Sequence, residues 1–226
     1  MLQRSKIERF WRMISPIVVK EVVLLLFYSI LIVVVEERKV VPYITQITAI
    51  AGVLTIPILI WMIRQDAASR KDDITKIKKT MRLRDYLFLV VISIAFTMIT
   101  NFLLLLTNVA KQSETYQEIS ELLYAPSFGM QILCVGIAIP IVEELVFRGL
   151  IYNRLREYHS FAFSMIISAI VFGCFHGNLV QGIYGAMAGI LLAYVFELFG
   201  TVKASIIVHM AMNLTSCMLT RMLQKY

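Results

Sequence analysis

Six ionisable or amide side chains interrupt the apolar second half of this chain: Glu143, Glu144 and Arg148 in PIVEELVFRG, His176 in FGCFH, and His209 and Asn213 in HMAMN. A carboxylate beside an imidazole can activate water as a general base. A second imidazole and an amide can donate to a developing oxyanion. This is an inventory for hydrolysing an amide bond without a serine or cysteine nucleophile. The same Glu/His/His set could instead hold Zn²⁺, as His₂Glu hydrolases do, or relay protons in a coupled transporter. Cys174 lies two residues before His176, so on a helix the two point apart, and a thiol dyad does not follow from them.

Helical angles divide the three charges of PIVEELVFRG. Glu144 and Arg148 are four residues apart and share a face, which predicts a salt bridge. Glu143 is rotated about 100° from Glu144 and is free to face something else. One glutamate then anchors and the other reacts. FGCFH likewise predicts Phe172 and His176 on one helical face, and HMAMN does the same for His209 and Asn213.

These residues need walls of a particular kind. The chain has 226 residues, 59% of them hydrophobic and 16% charged, with mean hydropathy +0.77. That balance excludes an ordinary soluble domain and predicts an all-α, polytopic transmembrane bundle. Seven apolar runs approach spanning length: Ser15–Val35, Pro42–Ile63, Tyr86–Ala110, Met130–Arg148, Phe161–Gly177, Gly182–Phe199 and Val202–Met222. Lys20 and Glu21 lie early in the first run and allow a start as late as Val22. A charge near the middle of a bilayer costs roughly 2.5–3.5 kcal/mol, so ionisable residues at that depth point to a functional site.

Counted along ideal helices, Glu143 and His176 each lie about 21–24 Å from the polar turn at Glu157–Ser160, provided that span four stays helical through GLIYNRLREY. His209 is only about 13 Å from the turn near Gly200, a shallower level. Ala169, Gly173 and Gly177, and again Gly185, Gly189 and Ala193, recur every fourth residue, a spacing that lets membrane helices approach closely.

The net charge of +7 comes from basic loops rather than from a nucleic-acid-binding surface. Arg4, Lys6, Arg9 and Arg12, the 64–84 linker, Arg154, Arg156 and Lys203 fall on alternate sides of successive spans from Arg38, Lys39 and Lys111. This bias places the N-terminus in the cytoplasm and the C-terminus outside. No small-residue cleavage site follows the first span, so it reads as an uncleaved helix. Three cysteines, all within spans, describe no disulfide framework. The clearest seam divides residues 1–85 (a basic segment, two spans and a basic linker) from a five-helix core at 86–226. In the linker Ile74, Ile77 and Met81 fall at helical spacing, which fits either a helix on an anionic leaflet or a solvated loop. The external segment KQSETYQEISELLYAPS has a helical pattern and is either a lid or a connector.

EELVFR, FGCFH and HMAMN together resemble the E-E-x-x-x-R, F-x-x-x-H and H-x-x-x-[ND] motifs of the CPBP intramembrane proteases, also called the Abi or CAAX-protease and bacteriocin-processing family. The resemblance covers 130–217, and no motif position departs from it. It implies a membrane endopeptidase of the glutamic type, without a metal, in which Glu143 activates water with help from His176. His209 and Asn213 would form the oxyanion site, Glu144 and Arg148 would support Glu143, and Phe172 would shape the pocket. A chain of this length fits a bacterial homologue in the plasma membrane. Its substrate would be a protein or peptide in or at the bilayer, entering laterally or from the cytoplasmic side. Family precedent favours pheromone, bacteriocin or leader-peptide processing and self-immunity over prenylated proteins. A non-enzymatic immunity or scaffold protein with the same fold is the further alternative.

Overall fold

The computed structural model describes residues 5–69 and 81–223, and among these it is helical throughout, without strands. Six helices are long and apolar enough to cross a membrane: α1 Lys6–Val35, α2 Glu37–Ser69, α3 Leu83–Thr107, α5 Phe128–Arg156, α7 Leu179–Phe199 and α8 Val202–Leu223. A shorter apolar helix, α6 Phe161–Cys174, completes the seven runs, and the amphipathic α4 Glu114–Tyr124 connects α3 to α5. The chain is a multi-pass helix bundle. Its outward side chains are large and apolar, Val33 at 86% and Leu106 at 61% exposure among them. Water would not tolerate that surface, whereas hydrocarbon suits it.

Local chemistry sets the helix ends. Side chains of Ser5, Ser113, Ser160 and Asn178 accept from backbone N–H groups of the first turns of α1, α4, α6 and α7, satisfying donors that the helix leaves unpaired. Gly200, at φ 64°, closes α7 in the left-handed conformation that glycine adopts freely. Two run limits are corrected. α1 passes straight through Lys20 and Glu21 from Lys6, and α2 continues past Ile63 to Ser69. The linker pattern at Ile74 and Ile77 lies outside the described residues.

α5 is the central helix. Val142, Val146, Leu150 and Ile151 pack with Leu59 of α2, Leu89 of α3, Phe172 of α6, Leu192 of α7 and Val208 of α8. It is not a regular α-helix: wide i→i+5 turns occupy Ile132–Ala138 and Leu145–Tyr152, flanking a regular turn at Ile139–Glu144. Pro140 offers no N–H and its ring opposes the carbonyl one turn back, so the helix before it loosens. Such wide turns recur at functional sites.

α6 and α7 touch through small residues. A side chain at Gly189 would meet the Ala169 Cα at 2.8 Å, and Gly173 faces the Gly182 carbonyl and Ala186. The four-residue spacing is therefore a packing seam, with Gly177 as the exception. It lies beyond α6 at φ 75°, making a turn.

The loops that charge bias groups together do meet at one end of the bundle. Arg12 of α1 donates to Asp66 of α2 at 2.8 Å and to Glu157 after α5 at 2.6 Å. Arg154 of α5 donates to Asp66 at 2.5 Å and also reaches the Arg12 carbonyl and Ser15. Nearby, Tyr152 and Arg156 bond Glu197 of α7 at 2.7 and 3.0 Å. Cys134 and Cys217 are buried, Cys174 is exposed, and all three are free thiols.

Candidate active site

Glu144 and Arg148 are both fully buried, with Nη1 donating to Oε1 at 2.7 Å. The guanidinium also donates to the Gly189 carbonyl at 3.2 Å and stacks 4.5 Å from the Phe172 ring centre. The i,i+4 salt bridge expected from the sequence therefore forms, at the point where α5 passes into its wide turns.

His209 from α8 stands between the two glutamates. Its Nδ1 is 2.9 Å from Glu144 Oε1, and its Nε2 is 3.7 Å from Glu143 Oε2. A carboxylate only accepts, so Nδ1 carries the proton and Nε2 is the ring atom turned to Glu143. The shallower level counted for His209 vanishes in this arrangement. Turns closed i→i+5 use more residues per turn, so Leu145–Tyr152 gains less height than ideal counting allows, which accounts for part of the difference.

Glu143 has no such commitment to an arginine. It lines a cavity of about 40 Å³ with Lys20 of α1, Thr48, Ala49 and Gly52 of α2, and Ile139 and Val142 of its own helix. A cavity above roughly 10–15 Å³ on this measure accepts a water molecule.

His176 departs from the expected geometry. α6 ends at Cys174, so the imidazole stands on the turn after the helix rather than on its face. It keeps its relation to Phe172 by other means: Nδ1 donates to the Phe172 carbonyl at 3.0 Å, and the two rings meet edge-on at 4.9 Å. With Nδ1–H spent on a carbonyl, Nε2 is the ring nitrogen left for another partner. Phe172 also meets His209 edge-on at 5.6 Å, so one ring touches both imidazoles. Gly185 makes room for His176, since a Cβ there would sit 2.9 Å from the imidazole Cε1.

Asn213 donates through Nδ2 to the Val135 carbonyl at 2.9 Å, inside the first set of wide turns. Of the residues singled out from sequence, the structure thus gathers Glu143, Glu144, Arg148, Phe172 and His209 closely. His176 joins them through its ring contact with Phe172, and Asn213 is tied to α5. Lys20 escaped notice as a wall of the Glu143 cavity, although a lysine in an apolar helix was the signal. Among the described residues, no three His, Cys, Asp or Glu converge as a metal-binding group.

Comparison with known proteins meets this geometry at the same segment. Residues 125–215 match the model of "Type II CAAX prenyl endopeptidase Rce1-like" proteins. Over 106 residues the chain is 29% identical to a Bacillus subtilis (strain 168) protein named "Putative membrane peptidase YdiL", an alignment covering 47% of this chain and 43% of that relative. The matched region thus spans less than half of either protein. No solved structure matches. Residues 125–215, which carry all three motifs, are thus similar to the Rce1-like type II CAAX prenyl endopeptidases.

Proposed function

We propose that the chain is an intramembrane endopeptidase in which Glu143 activates a water molecule to hydrolyse a peptide bond. One observation carries this reading: of two adjacent glutamates, Glu144 is consumed by Arg148 and His209, while Glu143 faces a water-sized cavity. In the proposed step Glu143 takes one proton from water as the oxygen attacks the substrate carbonyl. The C–N bond then breaks, and the proton passes to the leaving amine, restoring the carboxylate. His176, whose Nδ1 is held by the Phe172 carbonyl, turns Nε2 to the water's second hydrogen. His209 Nε2 faces the same carboxylate while Glu144 holds its Nδ1, which places an N–H there to donate to the developing oxyanion. Asn213 retains a second amide hydrogen for the oxyanion beyond the one given to Val135.

The substrate class is a protein or peptide in or at the membrane, in keeping with the family's description. The cavity is walled by α1, whose outer face is apolar and exposed, which suits lateral entry from lipid. The Arg12–Asp66–Arg154–Glu157 network ties α1, α2 and α5 together at the basic end. That end would be cytoplasmic, in a bacterial plasma membrane, by the charge bias of the loops.

Membranes carrying the parent chain and Glu143→Gln, compared by proteomics, test the reading. New peptide termini should appear with the parent and vanish with the variant, while both insert at equal levels. Full cleavage by Glu143→Gln would refute it. Stoichiometric zinc, with activity lost to chelators, would replace the water-only mechanism. An unchanged cellular phenotype in both Glu143→Ala and His176→Ala would indicate an immunity or scaffold role instead.

A further inference from the structure

The first two helices carry none of the family motifs, yet one of their side chains enters the Glu143 cavity. On α1 the inward positions follow helical spacing: Met13 and Ile17 pack against the core, Pro16 is buried, and Lys20 is next on that face. Lys20 is partly buried, with its side chain 21% exposed, and it lines the same cavity as Glu143. Its ammonium donates to Glu21 Oε1 at 2.7 Å, which leaves two further N–H donors. An ammonium within an apolar helix is costly, and an interfacial snorkelling lysine would point away from the bundle rather than into it. The remaining walls, Thr48, Ala49, Gly52, Ile139 and Val142, offer no charge to an occupant.

Resting on the hydrolytic reading above, we propose that Lys20 is a positioning residue for the attacking water. The cavity is lined by an acidic residue, Glu143, and a basic one, Lys20. A water oxygen between them accepts from Lys20, which directs one of its hydrogens to Glu143 and fixes the orientation of its remaining lone pair. The volume fits this role, being sized for water rather than for a side chain of the substrate. α1 thereby becomes part of the reaction centre although sequence motifs stop short of it.

The test uses the full chain in lipid vesicles and a fluorogenic peptide spanning a cleavage site found by the Glu143-dependent comparison. Lys20→Met should lower kcat by about tenfold or more, the scale of losing one oriented donor at a reacting group. KM should stay within about twofold, because the lost contact is to water rather than to substrate. Lys20→Arg, which restores a cationic donor, should recover much of the rate. Should Lys20→Met fail to insert, Lys20→Leu carries the same comparison, again with no donor. Parent-like kcat in Lys20→Met or Lys20→Leu, with Glu143→Gln inactive, would overturn this inference alone. A raised KM with unchanged kcat would make Lys20 a substrate-binding residue and equally overturn it. An active Glu143→Gln would instead remove the hydrolytic reading beneath it.

Discussion

Replacing Arg148 by methionine isolates the energetics of the buried pair. The arginine gives one hydrogen bond to Glu144, one to the Gly189 carbonyl, and a face-on contact to Phe172, all without exposure to solvent. Methionine occupies part of that volume but strands the Glu144 carboxylate with His209 as its remaining partner. Removing one member of a buried ion pair costs about 3–5 kcal/mol, mostly the uncompensated charge left behind. Glu144→Gln should cost a similar amount, because the amide still accepts from Arg148 yet no longer neutralises it. The double variant strands neither charge. Its destabilisation should fall short of the sum of the singles by about 2–3 kcal/mol, near the upper range for coupled neighbours. Denaturant unfolding of the full chain in mixed micelles, followed by the fluorescence of Trp11 and Trp61, gives all four corners of this cycle. Additive single effects would refute mutual neutralisation as the reason this pair is tolerated.

Two further substitutions probe the supports around it. Gly185→Ala places a methyl group within 2.9 Å of the His176 ring, so the imidazole must shift. Cleavage should fall about tenfold or more, as small misplacements near a reacting group do, while thermal stability changes little. An unaltered rate would show that the position of His176 does not matter. Asp66→Asn keeps the shape but removes the charge shared by Arg12 and Arg154. About 2–3 kcal/mol of stability should be lost, the worth of hydrogen bonds to charged groups, and the same micelle unfolding experiment measures it.

Much of this arrangement could be read from residue spacing. Glu144 and Arg148 are legible because i,i+4 pairs meet on any helix, and Ala169 with Gly189 because small residues are what let α6 and α7 touch. The turn at Gly177 was not legible, since a glycine in a four-residue series looks the same whether it packs or bends the chain. Nor could counting place His209, because ideal rise assumes regular turns and α5 has two irregular stretches. Asp66 looked like part of a charged linker. Its role depends on Arg12 and Arg154, far away in sequence, and local pattern holds no record of such partners. Lys20 failed to stand out for the same reason: a helix start and a cavity wall are both reasons for a lysine, and only packing separates them.

The charged knot at the basic end bears on how divisible this protein is. The stretch matching the family ends at 215 and begins at 125, but Arg154 and Glu157 inside it complete their bonds with Arg12, Ser15 and Asp66 outside it. A fragment cut at the motif boundaries would lose Arg12, Ser15 and Asp66 from this network, and with Lys20, Thr48, Ala49 and Gly52 part of the lining of the Glu143 cavity. Homology marks where the recognisable residues are; the unit that can stand alone is larger and includes the helices in which no motif is found.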